Sequence, residues 1–121
     1  MRQLLTRLVA TGLVATLALT GCSQENDSTD ANSQDPVVVE VTVKDGTVSP
    51  NGDRVKAGLG QPITFRIDAD APGELHVHST PDRSIEFEAG QSEDTFTLDK
   101  PGVVEVELHE PPVVVVQLQI Q

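Results

Sequence analysis

The chain has 121 residues, of which 19 are Asp or Glu and only 8 are Lys or Arg, giving a formal charge of −11 at pH 7. So acidic a chain repels phosphate backbones and anionic lipid head groups, which excludes nucleic-acid binding and attachment to a membrane by surface charge. A single cysteine excludes a disulfide within one chain, and the lack of Trp and Tyr leaves no aromatic platform for carbohydrate or for an aromatic-rich interface core.

Residues 1–21 read as a secretory signal. A basic start with Arg2 and Arg7 precedes an apolar run from Leu8 to Leu19 that is broken only by Thr and Gly. The run is about a dozen residues, short of the roughly 20 that a spanning helix needs. Leu19-Thr20-Gly21-Cys22 closes it and resembles the lipobox of bacterial lipoproteins. That resemblance implies cleavage before Cys22, a diacylglycerol on its thiol, and a protein tethered to a membrane on the extracytoplasmic side of the cell envelope. The alternative is an ordinary secretory signal with an incidental cysteine. Removal of Arg2 and Arg7 leaves six basic residues against nineteen acidic ones, a formal charge of −13.

Ser23 to Asp35 reads SQENDSTDANSQD, with one alanine as its only apolar residue. Nothing there can be buried to offset the entropy of ordering, so residues 22–35 are expected to form a disordered acidic tether behind the lipidated cysteine. Fully extended, it reaches at most ~45 Å. The folded part is expected over residues 36–121, long enough for one modest core and no second domain.

From Pro36 onward the dominant signal is alternation. Val37, Val39, Val41 and Val43 share one face; Ile63, Phe65 and Ile67 form the next set, followed by Leu75 with Val77 and Ile85 with Phe87. Phe96 and Leu98, then Val104, Val106 and Leu108, then Val114, Val116, Leu118 and Ile120 complete the pattern. A period of two predicts half-buried antiparallel strands. Asp45-Gly46, Asn51-Gly52, Pro72-Gly73, Ala89-Gly90 and Pro101-Gly102 punctuate the runs with turn residues. No segment beyond Cys22 carries ten residues of helical periodicity. The expectation is an all-β fold of seven or eight short strands in a Greek-key β-sandwich or flattened barrel. Val113 and Val115 fall on the nominal outer face of the last strand, which is therefore expected to be covered on both sides.

Over residues 37–121 the order of segments resembles the cupredoxin-like domains, and most closely the EfeO-type cupredoxin-like family. Val41 to Pro50 is similar to its first strand and turn, and Gly60-Gln61-Pro62-Ile63-Thr64-Phe65 to the strand that follows. Glu74-Leu75-His76-Val77-His78 resembles the strand carrying its first histidine, and Phe96 to Val106 its approach to the metal loop. The resemblance implies a cupredoxin-like fold and, by analogy, a role in metal handling. It stops short of blue copper, which needs a Cys thiolate, two imidazoles and usually a thioether. Leu108 or His109 stands where the thiolate belongs, and Met1 is the only methionine. A type 1 electron-transfer centre is excluded.

The chemistry left is imidazole. His76 and His78, two apart on one strand, point to the same face with Cα atoms ~6.6 Å apart. If the strand carrying His109 ends at the same pole, the three converge on an ion. Imidazoles suit Cu(II), Zn(II) or Ni(II), and Cu(II) binds most tightly. Asp82, Glu74 or Glu110 could add an oxygen ligand. Against this, all three histidines lie opposite apolar faces, where solvent-facing polar residues belong. Glu86, Glu88, Glu93 and Asp94 crowd one expected hairpin, either as a site for a hard cation or as a solvated acidic face. His109-Glu110-Pro111-Pro112 reads as a rigid turn. No Ser/His/Asp or Cys/His arrangement and no Gly-rich phosphate loop is present. The sequence therefore points to a binding module rather than an enzyme. Its ligand is either a transition metal at His76, His78 and His109 or a protein partner in the cell envelope, with the β-sandwich then a scaffold.

Overall fold

A computed structural model describes residues 35–121. The signal segment, Cys22 and all but the last residue of the expected tether lie outside them. Nine strands form two sheets: β1 (Val37–Lys44), β2 (Thr47–Ser49), β3 (Asp53–Ala57), β4 (Ile63–Ala69), β5 (Gly73–Val77), β6 (Arg83–Phe87), β7 (Gly90–Phe96), β8 (Gly102–Leu108) and β9 (Val113–Ile120). One sheet has the order β2-β1-β4-β7 and the other β3-β9-β8-β5-β6.

The alternating apolar residues meet between the sheets. Val39, Val41, Ile63, Phe65, Ile67 and Phe96 come from the first sheet; Leu75, Val77, Ile85, Phe87, Val106, Leu108, Val116, Leu118 and Ile120 come from the second. Leu98 and Val104 pack against this core but stay only partly buried. At Asp45-Gly46 both residues have positive φ, 52° and 71°, the backbone that a two-residue hairpin turn requires between β1 and β2. Gly73 has a different role from the turn expected at Pro72-Gly73. It lies within β5, opposite Phe87, and a Cβ there would come within 2.5 Å of Phe87 Cζ. The glycine makes room for the ring.

Three expectations are corrected. The strands are not all antiparallel: β1 runs parallel to β4 and β3 parallel to β9. A period of two marks a half-buried strand but carries no direction. Second, the acidic residues do not share a hairpin. β6 and β7 are edge strands of different sheets, so the chain between them crosses the sandwich. Third, a β-bulge on β9 changes its parity. Val106 pairs with Val116 but Glu107 pairs with Val114, leaving Val115 as the extra residue. Val113 thereby comes opposite the buried Leu108 and takes the inward place expected of Val114, while Val115 is fully buried. The Gly52 N–H donates to the carbonyls of Val114 and Val115, so the displaced backbone at the bulge keeps a partner.

Candidate metal centre

β5 and β8 are antiparallel neighbours in the interior of the five-stranded sheet, and their outer face carries the histidines. Leu75 pairs with Leu108 and Val77 with Val106, all four buried in the core. His76 between them must face outward, directly opposite Glu107. The register continues past the end of β5, where the His78 N–H donates to the Glu105 carbonyl at 2.9 Å. On this face β5 presents Glu74, His76 and His78, and β8 presents Glu105 and Glu107 with His109 just beyond its end.

His76 is the centre of the group. Its ring lies 4.6 Å from that of His78 and 5.7 Å from that of His109, centroid to centroid, tilted by 51° and 53°. The same-pole condition for three-way convergence is not met. His78 follows the end of β5, whereas His109 follows Leu108, whose partner is Leu75, and so lies toward the Glu74 end. His78 and His109 are about four strand positions apart, roughly 13 Å along the sheet. Among the described residues, no three or more His, Cys, Asp or Glu side chains are drawn up around one point.

Carboxylates surround the rings. His78 Nε2 and Glu107 Oε2 are 2.7 Å apart, and His76 Nε2 lies 3.6 Å from Asp82 Oδ2. Glu74, one of the oxygen ligands anticipated with Asp82 and Glu110, accepts a hydrogen bond from the Ser84 hydroxyl at 2.9 Å. Glu105 accepts one from the Gln117 amide at 3.1 Å. Glu107 escaped the sequence reading. Its signal was the outward parity of Glu105, Glu107 and His109, which becomes informative only once β5 and β8 are known to be neighbours.

The other acidic cluster is dispersed. Glu93 pairs with Arg66 on the outer face of the four-stranded sheet, and Glu40 approaches the same guanidinium from β1. The hydrogen bonds that Arg66 donates to Glu93 and then to Glu40 hold its pKa above its ordinary value. Asp94 points toward the core beside Phe65 and pairs with Arg83 at 2.6 Å. An open depression of about 550 Å³ over Glu40, Arg66 and Glu93 mixes both charge signs and gathers no ligand set.

No family model matches the sequence, and no curated protein matches it. Solved structures do. A copper(I) form of an amicyanin variant superposes with a TM-score of 0.50 at 13% identity, covering 75% of this chain and 88% of that one. An oxidised amicyanin variant gives 0.50 at 10% identity, covering 69% and 81%. The fold is cupredoxin-like. A purple cupredoxin from Nitrosopumilus maritimus is also similar, with a TM-score of 0.47 at 13% identity over 69% of this chain and 99% of that one.

Identity this low carries fold and no copper centre. The residues present do not fit a type 1 site, because residues 35–121 contain neither Cys nor Met. Where the cupredoxin-like pattern calls for a thiolate, Leu108 points into the core and His109 is exposed. The metal-capable groups of this domain lie instead on the outer face of a sheet.

Proposed function

We propose that this chain is a lipid-anchored, extracytoplasmic binding module of cupredoxin-like fold that takes up a transition ion, Cu(II) or Zn(II), and catalyses no reaction. The binding element lies in the cluster centred on His76 and uses at least two of His76, His78 and His109. The observation that carries the reading is the contact of the His76 ring with both other imidazoles. Three histidines occur in the whole chain, and solvation alone gives no reason for all of them to gather on one face. The acidic surface supports capture by raising the local concentration of cations. Residues 1–21 serve as the signal, 22–35 as lipidated cysteine and tether, and 36–121 as the domain. The membrane partner is reached through the diacylglycerol on Cys22.

Calorimetric titration of the full chain with Cu(II) and with Zn(II), beside a His76→Ala/His78→Ala double variant, tests this. Binding by the wild type and its loss in the variant are expected; a wild type that binds neither ion overturns the proposal. A second reading, a protein-interaction module with no metal, is favoured by one observation. Asp82 and Glu107 give the His76 and His78 rings carboxylate neighbours from the domain itself, at 3.6 and 2.7 Å.

A further inference from the structure

We infer that Glu107 is the third ligand of this site, so that His76, His78 and Glu107 form a two-histidine, one-carboxylate face open to solvent, with His109 outside the ligand set. The inference rests on the metal-binding reading and names its coordination. The register comes first. Glu107 is the residue directly opposite His76, and directly paired side chains on one face of an antiparallel sheet have Cβ atoms about 4.5–5.5 Å apart. Its carboxylate is already in contact with the second imidazole, at 2.7 Å from His78 Nε2. Glu107 therefore stands opposite one ring by its backbone position and touches the other with its side chain.

The competing carboxylates are less well placed. Glu74 and Glu105 are engaged by Ser84 and Gln117. The Asp82 side chain is 71% exposed and stands 3.6 Å from His76, whereas that of Glu107 is 32% exposed. The less exposed carboxylate loses less freedom when an ion fixes it. Glu107 also adjoins the register shift against β9, and bulges characteristically re-aim side chains beside functional sites.

Ligand geometry is within reach. Nitrogen and oxygen donors each ~2.0–2.1 Å from one ion, at angles between square and tetrahedral, are about 2.9–3.4 Å apart. Coordination requires the His78–Glu107 pair to open by a few tenths of an ångström from 2.7 Å and the His76 ring to turn its nitrogen from Asp82 toward that pair. Two neutral imidazoles and one carboxylate suit late first-row divalent ions, Cu(II) ahead of Zn(II). Three protein ligands on an exposed face leave coordination positions for water or for a donor from another molecule. That is the chemistry of exchangeable cargo, unlike a closed structural site.

The test uses the full chain in detergent with the Cys22 thiol blocked, titrated with Cu(II) and Zn(II). Glu107→Gln keeps the size of the side chain and removes its charge. Loss of an outer-shell partner alone weakens metal sites by about 10–100-fold, so Glu107→Gln should weaken binding at least tenfold, while His109→Ala stays within about threefold of wild type. Glu107→Asp keeps the carboxylate and should bind more tightly than Glu107→Gln, which separates ligation from any effect on folding. Electron paramagnetic resonance of the Cu(II) form should show two coupled nitrogens. Wild-type affinity in Glu107→Gln, or a loss in His109→Ala as large as in His76→Ala, overturns the Glu107 assignment and leaves the metal-binding reading standing. Absence of binding in the wild type removes both.

Discussion

Phe65 on β4 is fully buried, and its ring lies 5.8 Å from that of Phe96 on the neighbouring strand, nearly parallel to it at 12°. With only three Phe in the chain and no Trp or Tyr, few side chains fill so large a share of this core. Phe65→Ala should therefore destabilise the domain by ~3–5 kcal/mol, measured by urea titration. A loss below about 1 kcal/mol would mean that the ring contributes little to the core. Gly73 is the complementary case, a site where adding one carbon is harmful. Its place opposite the Phe87 ring leaves no room for a Cβ, so Gly73→Ala should cost about 1–3 kcal/mol through overpacking. Gly46→Ala, with nothing near its added carbon, should act only through its positive φ.

At the scale of elements, β6 and β7 are the edge strands of the two sheets on one side of the sandwich, with β3 and β2 at the opposite edges. Both β6 and β7 direct a charge inward: Arg83 is paired with the buried Val77, and Asp94 with the buried Phe65. The two charges meet at 2.6 Å, and the Arg83 guanidinium also covers the Phe96 ring at 4.4 Å. Inward charges discourage strand addition at an edge, and here they also clasp one sheet to the other. Asp94→Asn should lose a salt-sensitive ~0.2–1 kcal/mol, as for other partly exposed pairs. Arg83→Ala should lose more, because the contact with Phe96 disappears with the ion pair. Equal losses in a double-mutant cycle would show that the aromatic contact contributes nothing. Seven of the nine strands were legible as alternation. β2 and β3 were not, since three residues are too short to display a period and β3 turns inward only Val55 and the small Ala57. β7 was legible only at Phe96, because Ser92 and Asp94 are the residues it turns inward before that point. The parity of β9 was misread at Val113 and Val114 because a bulge inserts one residue without a local mark. The three histidines were evident in the sequence, but their order on the sheet was not. Register decides that His76 is central and Glu107 opposite it, and register is a property of strand pairs rather than of single runs.

For the whole molecule, charge and anchor bear on one another. The proposed mature chain carries −13, which repels an anionic membrane surface while attracting metal cations to the domain. Cation capture should therefore slow as ionic strength rises, since screening shortens the reach of that field to about 8 Å at physiological salt. Protons compete with metal for imidazole nitrogen, so affinity should also fall on acidification. Attachment to the membrane needs a different force. The proposed two acyl chains on Cys22 would contribute about 0.8 kcal/mol for each CH₂ they bury, enough for stable anchoring where a single chain is marginal. The expected acidic tether, at most ~45 Å when fully extended, would then let the domain stand off the lipid surface. The Cys22 thiol has no substitute acceptor, because the chain has no other cysteine. Cys22→Ser should accordingly leave the precursor unprocessed or release the protein into the soluble fraction. Mass spectrometry of the wild-type N-terminus should find a diacylglyceryl-modified cysteine as the first residue. A mature protein that begins elsewhere, or that carries an unmodified Cys22, would remove the anchor and leave a secreted domain whose histidine face meets ions in free solution.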